Sequence, residues 1–389
     1  MSDRKIINDP VFGFINIPKG LLYDIVCHPL LQRLTRIKQL GLSSAVYPGA
    51  QHTRFQHSLG AFHLMSETIK HLTAKGNFIF DSEAEAVQAA ILLHDIGHGP
   101  FSHVLENTLA GGVSHEEISL MLMERMNKDM KGQLNLAIQI FKDEYPKKFL
   151  HQLVSGQLDM DRLDYLRRDS FYTGVSEGNI GSARIIKMLD VADDRLVVES
   201  KGIYSIENFL TARRLMYWQV YLHKTSVAYE KMLISTLLRA KELASQGVEL
   251  FASPALRFFL YNDINPTEFY NNPDCLENFI QLDDNDIWTA LKVWSTHTDK
   301  VLSTLSTGMI NRNIFKVEIS SEPISEDRKK ELTLHISQQL DITLSEANYF
   351  VSTPSIEKNM YDPADDSIDI IYKDLSLIHI SEPTRPLYI

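Results

Sequence analysis

The sequence predicts a mainly α-helical protein that carries a short β-hairpin and a small C-terminal α+β region. Apolar residues recur at helical spacing through most of the chain between Leu21 and about Ala244. Alternating apolar residues, which are typical of strands, occur in only a few short segments. With 389 residues, of which 44% are hydrophobic, the chain can bury a sizeable core. We expect a helical core over residues 1–308 and the α+β region over residues 309–374.

The first half of the chain contains four predicted helical segments, which follow a short extended segment, VFGFINIP. LLYDIVCHPLLQRLTRIKQLG ends at Gly41 and FQHSLGAFHLMSETIKHLTAKG ends near Gly76, because glycine commonly terminates helices. SEAEAVQAAILLHD places Ser82 three residues before Glu85, a spacing that predicts a capping box. Glycine and proline residues then end this helix, and FSHVLENTL begins the next one.

The second half mixes helices with short strands. DDRLVVESKGIYSI alternates apolar residues and predicts a hairpin around Lys201 and Gly202. A single long helix is predicted for IENFLTARRLMYWQVYLHKTSVAYEKMLISTLLRAKELA. Farther on, FKVEIS and DSIDIIYK are predicted strands that flank the helix EDRKKELTLHISQQL. The last residues, 375–389, resemble a translated cloning read-through, and we expect them to be a non-native tail.

Composition and charge narrow the classes of function. The formal net charge of −11 argues against a protein that coats nucleic acid, because such binding relies on Lys and Arg. The two cysteines, Cys27 and Cys275, provide neither a disulfide framework nor a thiolate zinc site. No window approaches about 18 consecutive apolar residues, and MSDRKIINDP lacks the layout of a signal peptide. We therefore expect a cytoplasmic protein that has no membrane partner.

The stretch LLHDIGHGPFSH places polar side chains in an apolar setting. His94 and Asp95 follow a run that reads as a buried helix, and a carboxylate buried beside an imidazole is costly unless a cation pairs with it. Two more ligands are available, His57 in TRFQHSLG and Asp161 in DMDRLDYLRRD. Mixed imidazole and carboxylate donors suit Mn, Fe, Zn, Ni or Co. The sequence therefore predicts one divalent transition metal.

Each of these residues also has a simpler interpretation when it is taken alone. A His-Asp pair on a helix surface or a hydrogen-bonded core histidine such as His57 needs no metal. That interpretation must nevertheless explain several polar placements together, because His98, His103 and the carboxylates of residues 159–169 accompany them. A shared cation explains the whole set and is the interpretation that we favour.

The order His, His-Asp, Asp, spread over residues 57–161, resembles the HD-domain phosphohydrolase superfamily. Longer stretches resemble its deoxynucleoside triphosphate (dNTP) triphosphohydrolase branch, namely INDPVFGFI, LQRLTRIKQLG, YPGAQHTRFQHSLG, LLHDIGHGPFSH, DMDRLDYLRRD and YLHKT. The resemblance implies an HD-domain helical bundle and metal ligation by His57, His94, Asp95 and Asp161. It also implies a homo-oligomer, a nucleotide effector, and Mg²⁺ assisting with the triphosphate.

The same resemblance implies roles for further residues. His98 and His103 would lie beside the substrate phosphates, and the acid/base relay would consist of His103, Glu106 and His115. The vertebrate members of the branch have Asp at the position of Glu106, Lys at that of Arg162 and His at that of Tyr217. The implied substrate contacts are Arg54, Arg162 and Arg213 for the phosphates, Gln39 and Leu40 for the base and sugar, Tyr165 and Asp169 for the 3′-hydroxyl, Tyr221 for the 2′ carbon, and Tyr217.

Without the family resemblance, the stretch ARRLMYWQVYLHK is as typical of a core or subunit-contact helix with extended Arg side chains as it is of a substrate-binding helix. Its spacing puts Arg213, Tyr217 and Tyr221 on one face of a continuous helix.

The favoured function is a metal-dependent phosphohydrolase that converts dNTPs, dGTP included, to deoxynucleoside and inorganic triphosphate. Two alternatives stay open at this point. One is hydrolysis of another nucleotide on the same scaffold, such as a monophosphate, a cyclic nucleotide or an alarmone. The other is a nucleotide-sensing protein that binds without turnover.

Overall fold

Helices form most of the chain, as the apolar periodicity predicts. The computed structural model describes residues 4–109, 111–320, 322–354, 367–372 and 377–379. Strands are short and belong to two small sheets within these residues. None of the helices described combines the length and the apolar character needed to cross a bilayer.

The N-terminus forms a β-hairpin where the sequence predicts a single extended segment. Strand β1 (Arg4–Asp9) pairs antiparallel with strand β2 (Gly13–Pro18). The Oδ1 atom of Asp9 accepts hydrogen bonds from two backbone N–H groups of the turn, at 3.0 and 2.9 Å. Ile15 and Ile17 of β2 are fully buried, so this hairpin is anchored in the core.

The helix predicted to end at Gly41 is interrupted. The segment forms α1 (Leu21–Cys27), α2 (Pro29–Gln32) and two 3₁₀ turns (Arg33–Arg36 and Gly41–Ala45). Pro29 explains the break, because proline lacks an N–H group and its ring clashes with the preceding turn. His28 caps α2, since its Nδ1 accepts a hydrogen bond from the backbone N–H of Leu30 at 3.2 Å.

Helices α3 (Arg54–Ala74) and α4 (Asp81–Leu93) confirm the next two predicted helices. The capping box predicted at Ser82 and Glu85 is wrong, because α4 begins at Asp81 and its N-cap lies two residues before Ser82. Glu83 accepts the N-terminal hydrogen bond instead, from the backbone N–H of the residue at position 80, at 2.9 Å. Helix α4 ends at Leu93, so the residues at positions 94 and 95 lie in the turns that follow it.

Further helices follow, and they include the one predicted for FSHVLENTL. They are α5 (His103–Thr108), α6 (His115–Asp129), α7 (Asn135–Phe141), α8 (Lys148–Val154), α9 (Met160–Thr173) and α10 (Ser182–Met188). Asp159 caps α9, because its Oδ1 accepts a hydrogen bond from the backbone N–H of Arg162 at 2.6 Å. Helix α9 lies along α3, and this contact brings its carboxylates to His57.

The predicted hairpin exists, but its turn lies elsewhere. Strands β3 (Leu189–Ala192) and β4 (Arg195–Glu199) pair around Asp193 and Asp194. Both aspartates have positive φ, 49° and 58°, which short polar side chains tolerate in tight turns. The prediction of a turn at Lys201 and Gly202 is wrong, because Ser200–Gly202 is a 3₁₀ turn that leads into a helix.

Strands from the C-terminal region extend this sheet. Strand β5 (Asp369–Ile371) pairs parallel with β4, and β6 (Leu377–His379) pairs antiparallel with β5. Strand β5 falls within the predicted strand DSIDIIYK. The prediction for FKVEIS is wrong, because residues 315–320 have no regular secondary structure. Strand β6 lies within the tail that we expect to be non-native, and its origin stays a prediction.

The long predicted helix is divided by a π-helical turn. Helix α11 (Ile203–Met216) runs into the π-turn Tyr217–Tyr221, and α12 (Lys224–Ser245) begins after a break. The prediction of one continuous helix is therefore wrong. The π-turn shows in the hydrogen bond from the N–H of Leu222 to the carbonyl of Tyr217, five residues back, at 2.7 Å. Single π-turns within helices are frequently found at functional sites.

The remaining helices complete the bundle and include the predicted helix EDRKKELTLHISQQL. They are α13 (Pro254–Tyr261), α14 (Pro266–Asn271), α15 (Pro273–Phe279), α16 (Asp284–Trp294), α17 (Lys300–Ile310), α18 (Glu326–Leu340) and α19 (Leu344–Ala347).

A polar cluster lies inside the hydrophobic core at the junction of α3, α4 and α9. Phe62 of α3, Leu92 of α4 and Leu163 of α9 are at most 1% exposed. His57 and Asp164 are equally buried among them. Polar groups so deep need partners, and these partners define the site.

Candidate active site

The structure brings together two imidazoles and a carboxylate, although the first and the last of these residues are more than 100 positions apart in the sequence. The Nε2 atom of His57 is 3.3 Å from Nε2 of His94 and 3.1 Å from Oδ1 of Asp161. The Nε2 atom of His94 lies 3.5 Å from the same carboxylate oxygen. These three donors converge on one point, where they could hold a metal ion.

Asp95 lies beside these three donors, with one carboxylate oxygen near each imidazole. Its Oδ1 is 3.4 Å from Nε2 of His94, and its Oδ2 is 3.8 Å from Nε2 of His57. Donors placed about 2.1 Å from a tetrahedral ion lie about 3.4 Å from one another, which matches the spacing of the cluster. His57, His94 and Asp161 therefore have the spacing of ligands to a single divalent cation, and their nitrogen and oxygen donors suit a transition metal.

Neighbouring groups orient both imidazoles toward this point. The Nδ1 atom of His57 is 2.6 Å from Oδ2 of Asp164, and that of His94 is 2.7 Å from the carbonyl oxygen of Ile91. An Nδ1–H that donates to an acceptor leaves the lone pair of Nε2 for the metal. This is the arrangement by which outer residues fix the tautomer of metal-binding histidines.

A buried chain of charges continues from Asp164 to the N-terminal hairpin. Arg168 donates two hydrogen bonds to Asp164, at 2.9 and 3.0 Å, and a third to Asp9 at 2.7 Å. The sequence analysis missed this chain. The spacing of Asp164 and Arg168 at i and i+4 on one helix is the signal that could have revealed part of it.

The electrostatics of the cluster favour a positive charge between the carboxylates. Burial by itself would lower the pKa of His57, but hydrogen bonds with Asp161 and Asp164 raise it to about 10. Burial works to raise the pKa of Asp95, but the adjacent imidazoles and the Arg54 guanidinium hold it well below its ordinary value. A divalent cation would supply the positive charge in place of the protons on these imidazoles.

A second polar group borders the first. The ring of His98 stacks on that of His115 with centroids 3.9 Å apart and planes 14° from parallel. The Nδ1 atom of His115 is 3.0 Å from Oε1 of Glu106, and Nε2 of His98 is 3.3 Å from Oδ1 of Asp95. His103 begins α5, but its side chain lies outside the described part of the structure.

Stacking makes this second group better suited to proton transfer than to metal binding. The group has donors close enough to hold an ion. The lone pair of an imidazole nitrogen lies in the ring plane, however, so two nearly parallel stacked rings cannot both aim at one ion. Burial, followed by the charge of Arg54, lowers the pKa of His98 to about 3. Burial works to lower the pKa of His115, whereas the hydrogen bond with Glu106 raises it.

The three predicted phosphate-binding arginines all lie near the cluster. Arg54 donates to Oδ2 of Asp95 at 2.7 Å and to Oγ of Ser102 at 3.0 Å. Arg162 and Arg213 both donate to the side chain of Gln157, at 3.1 and 2.9 Å. Sequence reasoning missed Gln157, because its contact with Arg213 spans 56 positions and has no local signature.

The predicted sugar contacts also gather in one place. Tyr221 donates to Oδ2 of Asp169 at 2.7 Å, and Tyr165 packs edge-on against Tyr221 with centroids 5.9 Å apart. The ring of Tyr217 is 5.1 Å from that of Tyr221, although the π-turn replaces the continuous helix face that the spacing predicts. The fully buried His52 contacts Oδ1 of Asp169 at 2.7 Å.

Of the residues predicted at the base and sugar, Gln39 is linked to this tyrosine cluster through His52. The backbone N–H of Gln39 donates to the carbonyl of His52 at 3.0 Å, which ties the segment to the residue that holds Asp169. The Oε1 atom of Gln39 is buried without a hydrogen bond among the described residues. Leu40 packs, partly buried, against the core. Sequence reasoning missed His52, since its contact with Asp169 spans 117 positions.

Comparisons with known proteins show which family the chain resembles. Residues 54–168 match the HD domain family, and residues 180–252 match the HD associated region. An uncharacterized protein of Bacillus subtilis, YwfO, is 32% identical over 81% of this chain and 72% of its own length. A deoxynucleoside triphosphate triphosphohydrolase SAMHD1 homolog of Dictyostelium discoideum is 31% identical over 81% of this chain and 60% of its own length.

A solved structure of similar fold is the crystal structure of a phosphohydrolase from Bacteroides thetaiotaomicron. It is 90% identical, its TM-score is 0.95, and the match covers 97% of this chain and 93% of that one. The stretch that matches the HD domain contains the four predicted metal ligands, His57, His94, Asp95 and Asp161. The chain belongs to the HD-domain family of phosphohydrolases.

Proposed function

We propose that this protein hydrolyses dNTPs to deoxynucleoside and inorganic triphosphate. The observation that carries the proposal is the order of side chains along α9. Asp161, Tyr165 and Asp169 follow one another at i, i+4 and i+8 on one face, so metal-binding and hydroxyl-binding groups share a rigid helix. Such a face suits an extended substrate with a phosphate at one end and a sugar hydroxyl at the other.

The likeness to a dNTP triphosphohydrolase over 81% of the chain supports this choice among phosphohydrolases. The four donors His57, His94, Asp95 and Asp161 would hold one divalent transition metal, Mn, Fe, Zn, Ni or Co. When bound, such an ion polarises a phosphoryl oxygen and lowers the pKa of a coordinated water. Mg²⁺ would accompany the triphosphate of the substrate.

The protein's own residues would supply charge and protons. Arg54, Arg162 and Arg213 would offset the negative charge of the phosphoryl oxygens. The hydrogen bond with Glu106 raises the pKa of His115, so this pair would hold a proton for the leaving oxygen. In the relay implied by the family resemblance, His103 passes that proton on, a step that typically contributes about 100- to 10,000-fold.

The sugar end would be selected by the aromatic cluster. Asp169 can accept a hydrogen bond from a 3′-hydroxyl, since each carboxylate oxygen carries two lone pairs. The ring of Tyr221 would lie against the 2′ carbon and leave little space for a ribose hydroxyl. Ribonucleotides would then bind more weakly than deoxyribonucleotides. Gln39 and Leu40 would face the base and sugar.

Product analysis tests this proposal directly. Each of the four dNTPs, together with a monophosphate, a cyclic nucleotide and an alarmone, is incubated with the protein and Mn²⁺, Mg²⁺, Co²⁺ or Fe²⁺. We expect deoxynucleoside and inorganic triphosphate, with Asp161→Ala inactive. Orthophosphate release or a linearised cyclic nucleotide would assign another phosphohydrolase activity instead. Tight dNTP binding without turnover under every metal would assign a sensor.

The assembly and the location are part of the same proposal. We expect a homo-oligomer and a nucleotide effector, because the family resemblance implies both, and a cytoplasmic location where dNTPs are available. Light scattering with and without dNTPs measures the subunit number. A monomer under both conditions would contradict this part.

A further inference from the structure

Gln157 joins two arginines that come from different helices. It lies in the loop between α8 and α9, and its Oε1 accepts hydrogen bonds from Nη1 of Arg162 at 3.1 Å and from Nη1 of Arg213 at 2.9 Å. Arg162 belongs to the first turn of α9 and Arg213 to the last turn of α11. One neutral oxygen therefore holds two positive side chains close together.

The charge of Arg213 is unusually poorly compensated. The side chain is buried, its residue only 7% exposed, and its Nε has no hydrogen-bond partner among the described residues. No carboxylate of the described chain lies within ion-pair distance of it. Burying a guanidinium without a counter-ion costs free energy. The charge of Arg213 therefore favours binding of an anion that is not part of the chain.

Arg162 is only partly compensated. Its Nε lies 3.5 Å from Oδ2 of Asp159. That carboxylate already accepts hydrogen bonds from two backbone groups, the N–H of Arg162 at 2.6 Å and the N–H of Gly156 at 2.9 Å. Asp159 therefore serves mainly to begin helix α9, and the pair of arginines keeps a net positive charge.

A glutamine is the side chain that can join the arginines without cancelling this charge. Its amide oxygen has two lone pairs and can accept from both guanidinium groups. A glutamate of the same shape would accept the same hydrogen bonds but add a negative charge. It would therefore replace the anion that the arginines would otherwise bind.

We propose that Gln157 is a positioning residue that holds Arg162 and Arg213 as a joint receptor for a polyphosphate chain and preserves its positive charge. The proposal rests on the proposed function for the identity of the substrate, and it assigns to Gln157 the preference for highly charged phosphate groups. Gln157 itself donates or accepts no proton in the reaction. Its contribution is the geometry and the net charge of the two guanidinium groups.

Binding of inorganic tripolyphosphate tests this role without turnover. The full-length wild type, Gln157→Glu, Gln157→Met and the matched control Gln88→Glu are titrated calorimetrically with tripolyphosphate and with orthophosphate at two ionic strengths. Gln88 is half-buried on α4 and bonds to Ser66 at 3.0 Å, so its substitution adds the same charge away from the arginines. Thermal unfolding confirms that each variant is folded.

We expect Gln157→Glu to weaken tripolyphosphate binding about 10- to 100-fold, because the new charge competes with the ligand. Orthophosphate binding should weaken less, and the dependence on ionic strength should become shallower. Gln157→Met leaves the charges unchanged but removes the hydrogen bonds that hold the two arginine side chains. We therefore expect a loss of about 2- to 10-fold in tripolyphosphate affinity. Gln88→Glu should bind like the wild type.

Three results would overturn the inference. They are wild-type affinity in both Gln157 variants, an equal loss in Gln157→Glu and Gln157→Met, and no saturable tripolyphosphate binding by the wild type. If Gln157→Glu does not fold, wild-type affinity in Gln157→Met overturns it alone. Nucleotide products from the wild type decide the proposed function separately, because tripolyphosphate binding requires no hydrolysis.

Discussion

Helix α3 lies close to α9 at Gly60, beside Asp164, the carboxylate that orients His57. A Cβ atom added there would lie 1.9 Å from Oδ1 of Asp164 and 2.2 Å from Nη2 of Arg168. Neither atom can move aside freely, because Arg168 holds Asp164 with two hydrogen bonds and His57 holds it with a third. We therefore predict that Gly60→Ala displaces the carboxylate that orients His57.

The two expected effects differ in size. Overpacking of this kind costs about 1–3 kcal/mol of unfolding free energy, and alanine in place of a helical glycine returns about 1 kcal/mol. The net loss of stability should therefore be at most about 2 kcal/mol. Disturbing the partner of a metal-binding histidine typically costs 10- to 100-fold in metal affinity, so we expect about that loss for Mn²⁺.

Competition with a fluorescent chelator measures the Mn²⁺ affinity, and thermal unfolding of the metal-free protein measures stability. The matched control is Gly308→Ala in α17, where the new Cβ would meet the flexible end of Met232 at 2.2 Å, far in sequence from the cluster. Its Mn²⁺ affinity should equal that of the wild type. A folded Gly60→Ala protein with wild-type Mn²⁺ affinity would refute the reasoning.

Three more predictions concern the charges that support the site and the core. Asp9→Asn removes the charge of one of the two carboxylates that pair with Arg168 and should lower the free energy of unfolding by about 1–3 kcal/mol in urea titrations; an unchanged midpoint would contradict this. Burial works to raise the pKa of Glu83, but hydrogen bonds from Lys147 and Tyr145 outweigh it and lower this pKa. The ionised Glu83 therefore stabilises the folded protein above the pKa that Glu83 has in the unfolded chain. This contribution is lost as the pH falls through the pKa of Glu83 in the folded protein. Glu83→Gln should therefore cost about 1–3 kcal/mol at pH 7 and progressively less in acid, whereas an equal cost at both pH values would count against this pair. Mn²⁺ at 100 times its dissociation constant should stabilise the metal-free wild type by about 2.7 kcal/mol and leave Asp161→Ala unchanged, and an equal response of both proteins would place the ion elsewhere.

Local sequence patterns predicted the secondary structure correctly where it depends on neighbouring residues alone. Helices α3 and α4 follow from apolar spacing, which depends on 3.6 residues per turn and on nothing distant. The same patterns failed where a single residue changed the backbone. Helix α1 ends before Pro29, the hairpin turn forms at Asp193 and Asp194 and not at Lys201, and a π-turn follows Met216.

The candidate metal ligands were predictable because their residue types are costly in a core. His94 and Asp95 follow an apolar helix, His57 and Asp161 are polar residues available elsewhere in the chain, and the resemblance to a known family implies the same four residues. The distances between these side chains were not predictable, because they depend on how α3, α4 and α9 pack. The sequence therefore indicated the chemistry of the site, and the packing of three helices determined its geometry.

The residues that support the site belong to the tertiary structure alone. Asp164 reaches His57 across 107 positions, and His52 reaches Asp169 across 117. Periodicity and propensity describe neighbours within a few residues, so they carry no information on such pairs. The amino-acid sequence by itself determined the helical class and the donor types. Only the tertiary structure determined which buried charges pair. A buried charge is costly unless it has a partner, and the packing of distant segments determines which partner is near.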